Sequence, residues 1–299
     1  MTATVRVAVP RKGRPLEAVL ERLAVGVGAD ETVDDVVSTL RYEKSVTKGH
    51  SHPDRDVYER LAGYSDLDDP TAPEYTLLRD DRDGMPRRVV FDSVTLETPE
   101  VDVQLVGREE PFRALRTHEF GLGFDSADLV LEEVVSLRPD GVGSLADVNA
   151  RIDPRQSDVR VVAGLGDTVH HTLLATPETL PPGAHLDREF VADYEGPLCI
   201  SPRYERLVEA VLGTRAIEDV EFCYPDSDVE EEAAIADAGL GVYLTMTGGT
   251  ARDHGLVLGE DLFPSETVLM ENSAESDPDI TDYLRELVSD ATPETAIVV

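Results

Sequence analysis

The first residues of the chain carry the two periodicities on which the fold prediction rests. Apolar and polar residues alternate over residues 5–9, a loop follows at 10–14, and leucine and valine then recur at helical spacing from Leu16 to Leu23. Alternation has the two-residue period of a strand, whereas spacings of three and four residues have the period of a helix. The pattern therefore predicts a strand, a loop and a helix in that order.

The same two patterns alternate along most of the remaining chain. Apolar runs predict strands at residues 88–96, 101–106, 120–124, 159–163, 172–175, 198–201, 220–222, 242–245 and 267–270. Helical spacing predicts helices at residues 110–115, 127–134, 202–212, 228–238 (capped by Asp228) and 280–288, and a further helix that opens at Gly248. Strands that alternate with helices are typical of an α/β fold with a mostly parallel sheet.

Residues 25–86 interrupt this alternation. The stretch is polar, is punctuated by glycine and proline, and contains only weak helical patches near residues 33–40 and 57–61. We predict that it is an insertion and partly mobile. The resulting domain prediction is a first lobe at 1–137 that contains the insertion, a second lobe at 138–244, and a return to the first lobe at 245–299, with a phosphate loop and a last helix.

The net charge of the chain limits the classes of molecule that it is expected to bind. Among 299 residues, 61 acidic side chains face 27 basic ones, which gives a net charge of −34. Such a surface repels nucleic acid and acidic membranes, so neither is expected as a partner. The dispersed acids, the scarcity of lysine and the absence of tryptophan are habits of halophilic proteins.

The chain shows no sign of export. Its amino terminus lacks a basic region followed by an apolar run, and no eighteen apolar residues occur in succession. Cys199 and Cys223 both lie in apolar stretches, as buried thiols do in a reducing compartment. We therefore predict a cytoplasmic protein.

A candidate phosphate site lies at residues 244–251, which read Leu-Thr-Met-Thr-Gly-Gly-Thr-Ala. A strand ends there in hydroxyls and two glycines just before a helix, so exposed N–H groups can surround an anion. Thr245, Thr247 and Thr250 can donate hydrogen bonds, while Gly248 and Gly249 let the backbone approach closely. An ordinary glycine turn is the alternative.

A second candidate is the basic turn Arg11-Lys12-Gly13-Arg14, which follows the first strand. Ligands of open α/β sheets bind at the carboxyl ends of strands, and three cations at such an end suit an anion. A solvated turn that balances nearby acids is the alternative. We predict no metal site at the paired histidines, because adjacent histidines in a strand point to opposite faces.

Several segments resemble the ATP phosphoribosyltransferase family. Residues 7–14, Val-Ala-Val-Pro-Arg-Lys-Gly-Arg, are similar to its first strand and loop, and residues 121–130 are similar to a later strand and helix, with Asp125-Ser126 in place of Thr-Gly. Glu230 resembles the acid of a Val-Glu pair. Residues 247–250 resemble the family's Thr-Gly-Xaa-Thr phosphate loop, and residues 265–269 its Ser-Glu-Ala-Val-Leu strand.

The resemblance implies a two-lobed, periplasmic-binding-protein-like (type II) α/β fold with ligands between the lobes. It also implies a glycosyltransferase of histidine biosynthesis, in which ATP attacks phosphoribosyl pyrophosphate and Mg²⁺ binds the leaving pyrophosphate. Lys12 and Arg14 would then bind phosphate charge, residues 247–250 would hold the 5′-phosphate, and Asp125, Ser126 and Glu230 would contact substrate.

Two positions depart from the family pattern. Tyr243 stands where the family has an acid that grips the ribose hydroxyls, and residues 202–204 read Pro-Arg-Tyr where it has Tyr-Pro-Asn. A phenol cannot hold two hydroxyls as a carboxylate does. Three interpretations therefore stay open: a transferase, a non-catalytic sensor of a nucleotide or other anion, and a partner subunit of a true phosphoribosyltransferase. A homo-oligomer and a hetero-complex both stay open as well.

Overall fold

The computed structural model describes residues 3–66, 68, 69, 71–79, 87–226 and 229–290. Its strands are β1 (Thr4–Pro10), β2 (Glu74–Arg79), β3 (Arg87–Leu96), β4 (Asp102–Arg108), β5 (Leu122–Ser126), β6 (Val159–Gly164), β7 (His170–Ala175), β8 (Gly196–Ile200), β9 (Val220–Cys223), β10 (Leu240–Thr245), β11 (Val257–Pro264) and β12 (Thr267–Asn272). Its helices are α1 (Arg14–Val27), α2 (Asp30–Thr47), α3 (Val57–Tyr64), α4 (Pro111–Arg116), α5 (Ala127–Val134), α6 (Leu145–Arg151), α7 (Arg188–Ala192), α8 (Glu205–Leu212), α9 (Glu231–Ala238), α10 (Gly249–Asp253) and α11 (Pro278–Asp290).

The chain divides into two compact units. Unit 1 comprises Met1–Asp125, Asp158–Gly166 and Thr267–Val299, and unit 2 comprises Ser126–Ser157 and Asp167–Glu266. The chain returns to unit 1 at Thr267, whereas the sequence led us to expect the return at residue 245. The difference arises because β11 pairs with β7 and so keeps residues 257–264 in unit 2.

Unit 1 is built on a seven-stranded sheet in the order β2-β3-β4-β1-β5-β12-β6. β1 runs parallel to β4 and to β5, while the β2/β3, β3/β4 and β12/β6 pairs are antiparallel. The α/β class is therefore confirmed, with a parallel centre and antiparallel additions that the sequence did not indicate. The helical spacing from Leu16 to Leu23 buries one face of α1 against this core, as predicted.

Within the predicted insertion at residues 25–86, the weak helical patches near residues 33–40 and 57–61 correspond to α2 and α3, and α2 packs into the core of unit 1. α2 buries Val33, Val36 and Val37 in the same core as β1 and α1, and β2 extends the sheet by pairing with β3. These three valines lie on one helical face among acidic neighbours, which made the helical patch weak in the sequence. Residues 80–86 lie outside the described residues.

Unit 2 contains a five-stranded sheet in the order β11-β7-β10-β8-β9. β10 runs parallel to β8 and antiparallel to β7, and β8 runs parallel to β9. The start predicted at Asp228 for the helix before β10 lies outside the described residues, and α9 begins at Glu231 with Glu230 at its N-cap position. No helix in the described part of the chain is both long enough and apolar enough to cross a membrane.

Candidate functional site

The basic turn of unit 1 is clamped to the sheet through Arg11. Its Nε donates to the carbonyl of Gly107 at 3.1 Å, its guanidinium lies 3.5 Å from a carboxylate oxygen of Asp92, and its carbonyl accepts from the amide of Phe91. A methyl group at Gly107 would lie 2.5 Å from the carbonyl of Phe91, so this close approach requires glycine. Arg11 therefore has a structural role in holding the turn.

Lys12 and Arg14 emerge from this clamped turn. Lys12 is exposed, and its Nζ lies 3.9 Å from Glu109, a distance at which an exposed ion pair contributes little. Gly13 adopts a positive φ of 86° at the N-cap of α1, which leaves Arg14 as the first residue of that helix and half-buried. The structure thus places both predicted phosphate ligands at the carboxyl end of β1.

Asp125 lies at the carboxyl end of β5 and is buried. Its Oδ2 accepts a hydrogen bond of 3.1 Å from the amide of Phe112, in the first turn of α4. A carboxylate at that position satisfies a free N–H and complements the helix dipole. Asp125 therefore has a structural partner, and its contact with a substrate stays a prediction.

The hydroxyl- and glycine-rich segment of unit 2 forms a tight turn between β10 and α10. Gly248 has a φ of 67°, and a methyl group there would lie 2.2 Å from Leu258 Cδ2, so the position excludes any larger residue. Gly249 instead borders open space, with Thr247 Oγ1 at 3.7 Å from the place of an added methyl group. Thr247, Gly249 and Thr250 are exposed, and no described residue bonds the hydroxyl of Thr247 or Thr250.

Thr245 differs from the other two threonines because its hydroxyl lies 2.6 Å from that of Thr172. Thr172 donates its single hydroxyl hydrogen to Asp261 Oδ1 at 2.7 Å, so the hydrogen between the two threonines belongs to Thr245. Thr245 consequently has no second hydrogen to donate to a phosphate. Thr247 and Thr250 are the hydroxyl donors that this turn can offer to an anion.

Glu230 and Tyr243 flank the turn within unit 2. Glu230 Oε2 lies 3.2 Å from Nε2 of His254, the C-cap residue of α10, and so connects the start of α9 to the helix behind the turn. Burial and the charges of Glu231 and Glu232 raise the pKa of the Tyr243 phenol. The position that the family gives to a carboxylate therefore carries a phenol that lies near the acids of α9.

Unit 2 also contains a buried polar cluster that the sequence did not reveal. Asp128 Oδ2 accepts from Ser265 Oγ at 3.0 Å and lies 3.4 Å from His171 Nε2, and Ser265 in turn lies 3.1 Å from the hydroxyl of Ser126. Burial alone would raise the pKa of Asp128, but the hydrogen bonds of His171, Ser126 and Ser265 outweigh it and hold that pKa below its ordinary value. Ser126 therefore belongs to this buried network.

The cluster follows from the strand geometry. His170 and His171 point to opposite faces of β7, since His170 lies near Asp261 at the surface while His171 is buried against Tyr204. Nothing in the local sequence joins Asp128 to Ser265. The resemblance named both segments, without indicating their contact.

The described residues offer little support for a metal site or for a reactive cysteine. Within the described residues, no three side chains of histidine, cysteine, aspartate or glutamate come together as a metal site. Cys199 and Cys223 are register partners on β8 and β9, and both are free thiols. Burial and the neighbouring thiol raise the pKa of Cys199 to about 12, which makes it a poor nucleophile.

The two units, each a mixed sheet with helices packed on it, define an α/β protein of two compact parts. A comparison with protein families places the chain more narrowly, because residues 1–299 match the family described as halobacterial ATP phosphoribosyltransferase. The chain therefore belongs to that family, and the resemblance seen in the sequence is confirmed. A comparison with curated proteins finds no match.

Solved structures give distant likenesses. The ATP phosphoribosyl transferase (HisG:HisZ) complex from Thermotoga maritima matches at 14% identity and a TM-score of 0.42, over 96% of this chain and 98% of the other. An ancestral amino acid-binding protein, a precursor of cyclohexadienyl dehydratase, matches at 10% identity and a TM-score of 0.36, over 64% and 72%. Arginine-bound ArgBP from T. maritima, as a Gly52Ala mutant, matches at 9% and 0.34, over 64% and 78%.

Proposed function

We propose that this protein transfers the phosphoribosyl group of phosphoribosyl pyrophosphate to the adenine base of ATP and releases pyrophosphate, in the cytoplasm, as a step of histidine biosynthesis. Membership of the family supports the proposal. The turn at residues 247–250 is the single structural observation that carries it. It offers two hydroxyls without a described protein partner, a glycine backbone open to approach, and a geometry that requires Gly248.

The reaction requires stabilisation of negative charge on the departing pyrophosphate. Thr247 and Thr250 would bind the 5′-phosphate through hydroxyl and backbone N–H groups. Lys12 and Arg14 would bind phosphate charge at the end of β1. As N1 of adenine forms its bond to the anomeric carbon, the bond from that carbon to the pyrophosphate oxygen breaks, and the electron pair leaves with pyrophosphate.

Magnesium is part of the proposal. Mg²⁺ is commonly held by one or two carboxylates together with substrate phosphates, so it does not need a cage of three protein ligands. Asp261 fits such a role, because it is half-exposed and is joined to Thr245 through Thr172. When bound, the metal would neutralise charge on the pyrophosphate.

A calorimetric titration with phosphoribosyl pyrophosphate and magnesium, in concentrated potassium chloride, tests the binding part of this proposal. The variant Arg14→Ala, Thr250→Ala removes one predicted phosphate ligand from each unit. We expect saturable binding to the wild type that the double variant loses. Equal binding by both proteins, with both shown to be folded, would contradict the assigned site.

One observation favours a second candidate, a non-catalytic sensor or partner subunit that retains the anion site. Tyr243 occupies the position of the family's acid, near the charges of Glu231 and Glu232, so the residue at this position offers no carboxylate to ribose hydroxyls. The variant Tyr243→Asp distinguishes the two. Activity that appears only in the variant would identify the wild type as a binding protein, whereas activity in the wild type itself would exclude that reading.

A further inference from the structure

The turn that follows β10 contains an exposed thioether. Met246 lies between two of the predicted phosphate-binding threonines and is 82% exposed. Met270, the other methionine in the described part of the chain, lies on β12 and is 0% exposed. Met1 and Met85 lie outside the described residues. A solute in water can therefore reach the sulfur of Met246, whereas the fold shields that of Met270.

A thioether reacts directly with a hydroperoxide. The sulfur lone pair forms a bond to one peroxide oxygen, the O–O bond breaks, and that oxygen gives its proton to the leaving oxygen, which departs as water or as an alcohol. Sulfur is oxidised by two electrons and the peroxide is reduced by the same two. Because a thioether has no proton to lose, this reaction needs no ionised form, unlike that of Cys199, whose thiol pKa is raised by burial.

The main chain on both sides of Met246 is held by contacts within unit 2. The hydroxyl of Thr245 lies 2.6 Å from that of Thr172, and a guanidinium nitrogen of Arg252 donates to the carbonyl of Thr247 at 2.8 Å. These contacts keep Met246 in the turn. An oxygen atom added to its sulfur therefore stays within about one side-chain length of the turn hydroxyls.

A sulfoxide at this position opposes the binding of phosphate. Its oxygen carries a partial negative charge and accepts hydrogen bonds, whereas the thioether sulfur is only a weak acceptor. No described residue bonds the hydroxyl of Thr247 or Thr250, so either hydroxyl can donate to a sulfoxide instead of a phosphate. The negative end of the S=O dipole also repels phosphate oxygens.

We propose that Met246 is a site of reversible oxidation by hydroperoxides, and that its sulfoxide blocks the phosphate turn of unit 2. Methionine sulfoxide reductases can remove the block: a dithiol supplies two electrons and becomes a disulfide, while the sulfoxide oxygen leaves as water. The oxidation itself follows from the exposure of Met246. The block of phosphate binding rests on the proposed function.

Peptide mass spectrometry measures the oxidation in the full-length protein, treated with dilute hydrogen peroxide in concentrated potassium chloride. Each sulfoxide adds one oxygen atom, about 16 Da. In the folded protein we expect Met246 to be oxidised roughly ten times as fast as Met270 or faster, because only its sulfur is accessible. In guanidinium the two rates should be similar. Equal rates in the folded protein would overturn the proposal.

Calorimetric titration with phosphoribosyl pyrophosphate and magnesium, before and after peroxide treatment, measures the effect on binding. The oxidised wild type should bind roughly tenfold or more weakly, as for the loss of one charged hydrogen bond. Treatment with a methionine sulfoxide reductase and a dithiol should restore the affinity. Thermal unfolding establishes that the oxidised protein is folded.

Two variants assign the effect to one sulfur. Met246→Leu has an apolar side chain of similar volume that peroxide does not oxidise, so its affinity should be the same before and after treatment. Met270→Leu is the matched control, and its affinity should fall on treatment as that of the wild type does. Unchanged affinity of the oxidised wild type, or an equal loss in peroxide-treated Met246→Leu, would overturn the proposal.

The variant Gly249→Ala distinguishes a failure of this inference from a failure of the proposed function. If Gly249→Ala weakens the binding of phosphoribosyl pyrophosphate and peroxide does not, the turn stands as a phosphate site and only the role of Met246 fails. If neither weakens it, or if the untreated wild type does not bind, the turn is not the phosphate site and both proposals fail.

Discussion

The neighbouring glycines of the turn after β10 allow the phosphate-binding role to be tested without loss of the fold. Gly248 has a φ of 67°, and a methyl group added there would lie 2.2 Å from Leu258 Cδ2. Gly249, the first residue of α10, has no positive φ, and its added methyl group would find only Thr247 Oγ1, at 3.7 Å. Alanine should therefore have opposite effects on stability at these two positions.

The magnitudes follow from these contacts. Gly248→Ala combines a left-handed residue that carries a Cβ with an overpacked contact, and should lower the free energy of unfolding by about 2–5 kcal/mol. Gly249→Ala should change it slightly in the favourable direction, by up to about 1 kcal/mol, since alanine loses less conformational entropy in a helix. Thermal or guanidinium unfolding measures both.

Gly249→Ala should weaken the binding of phosphate even though it leaves the fold at least as stable. If the turn holds a phosphate against its backbone, the new methyl group keeps the anion away from the N–H groups. The affinity for phosphoribosyl pyrophosphate should then fall roughly tenfold or more, as expected for one lost charged hydrogen bond. Calorimetry on the wild type and Gly249→Ala measures it. A variant of at least wild-type stability with unchanged affinity would refute the assignment of this turn as a phosphate site.

Three further predictions concern buried groups. The pKa of Asp128 is lower in the folded protein than the value of about 3.9 expected in the unfolded chain. Its network therefore stabilises the fold at any pH above that unfolded pKa, and this stability is lost as the pH falls through the folded pKa. The difference in unfolding free energy between the wild type and Asp128→Asn should shrink over that acid range. Glu43→Gln should lower the unfolding free energy by about 3–5 kcal/mol in a denaturant titration, because it leaves the charge of Arg60 poorly paired. Cys199 should resist alkylation at neutral pH, with its pKa raised to about 12, as mass spectrometry can show.

Each of these predictions has a control in the chain. Asp282→Asn removes an exposed carboxylate, so a similar pH-dependent gap in that variant would contradict the role given to Asp128. Glu17→Gln breaks a more exposed pair, with Arg41, which solvent screens and which therefore contributes little. A loss as large as that of Glu43→Gln would contradict the argument from burial. For the thiols, both cysteines should react once the protein is unfolded, and rapid modification of Cys199 in the folded protein would contradict its assigned pKa.

Much of the fold follows from local pattern. The valines of β1 and the helical spacing from Leu16 to Leu23 identified the start of unit 1, because a single period continued over the whole element. β11 escaped the sequence analysis because its register shifts between Leu258 and Asp261 and again between Asp261 and Phe263, which breaks the alternation. α2 was predicted only as a weak helical patch near residues 33–40, because its buried valines are separated by acidic residues.

The candidate site, too, was predictable from the sequence only in part. The turn that contains Gly248 was predictable, since glycines and hydroxyls at a strand end have a local physical reason. The hydrogen that Thr245 gives to Thr172 was not, because it depends on Asp261, a residue of another strand. The packing of α2 against β3 was not predictable either, because no local pattern contains it.

The release of pyrophosphate is the measurement that tests the central claim most directly. Purified protein in concentrated potassium chloride would be mixed with phosphoribosyl pyrophosphate and magnesium, with ATP present or absent. The account predicts catalytic release that requires ATP and is lost in the variant Arg14→Ala, Thr250→Ala. Saturable binding of phosphoribosyl pyrophosphate without any ATP-dependent release would contradict the transferase and leave a binding protein in its place.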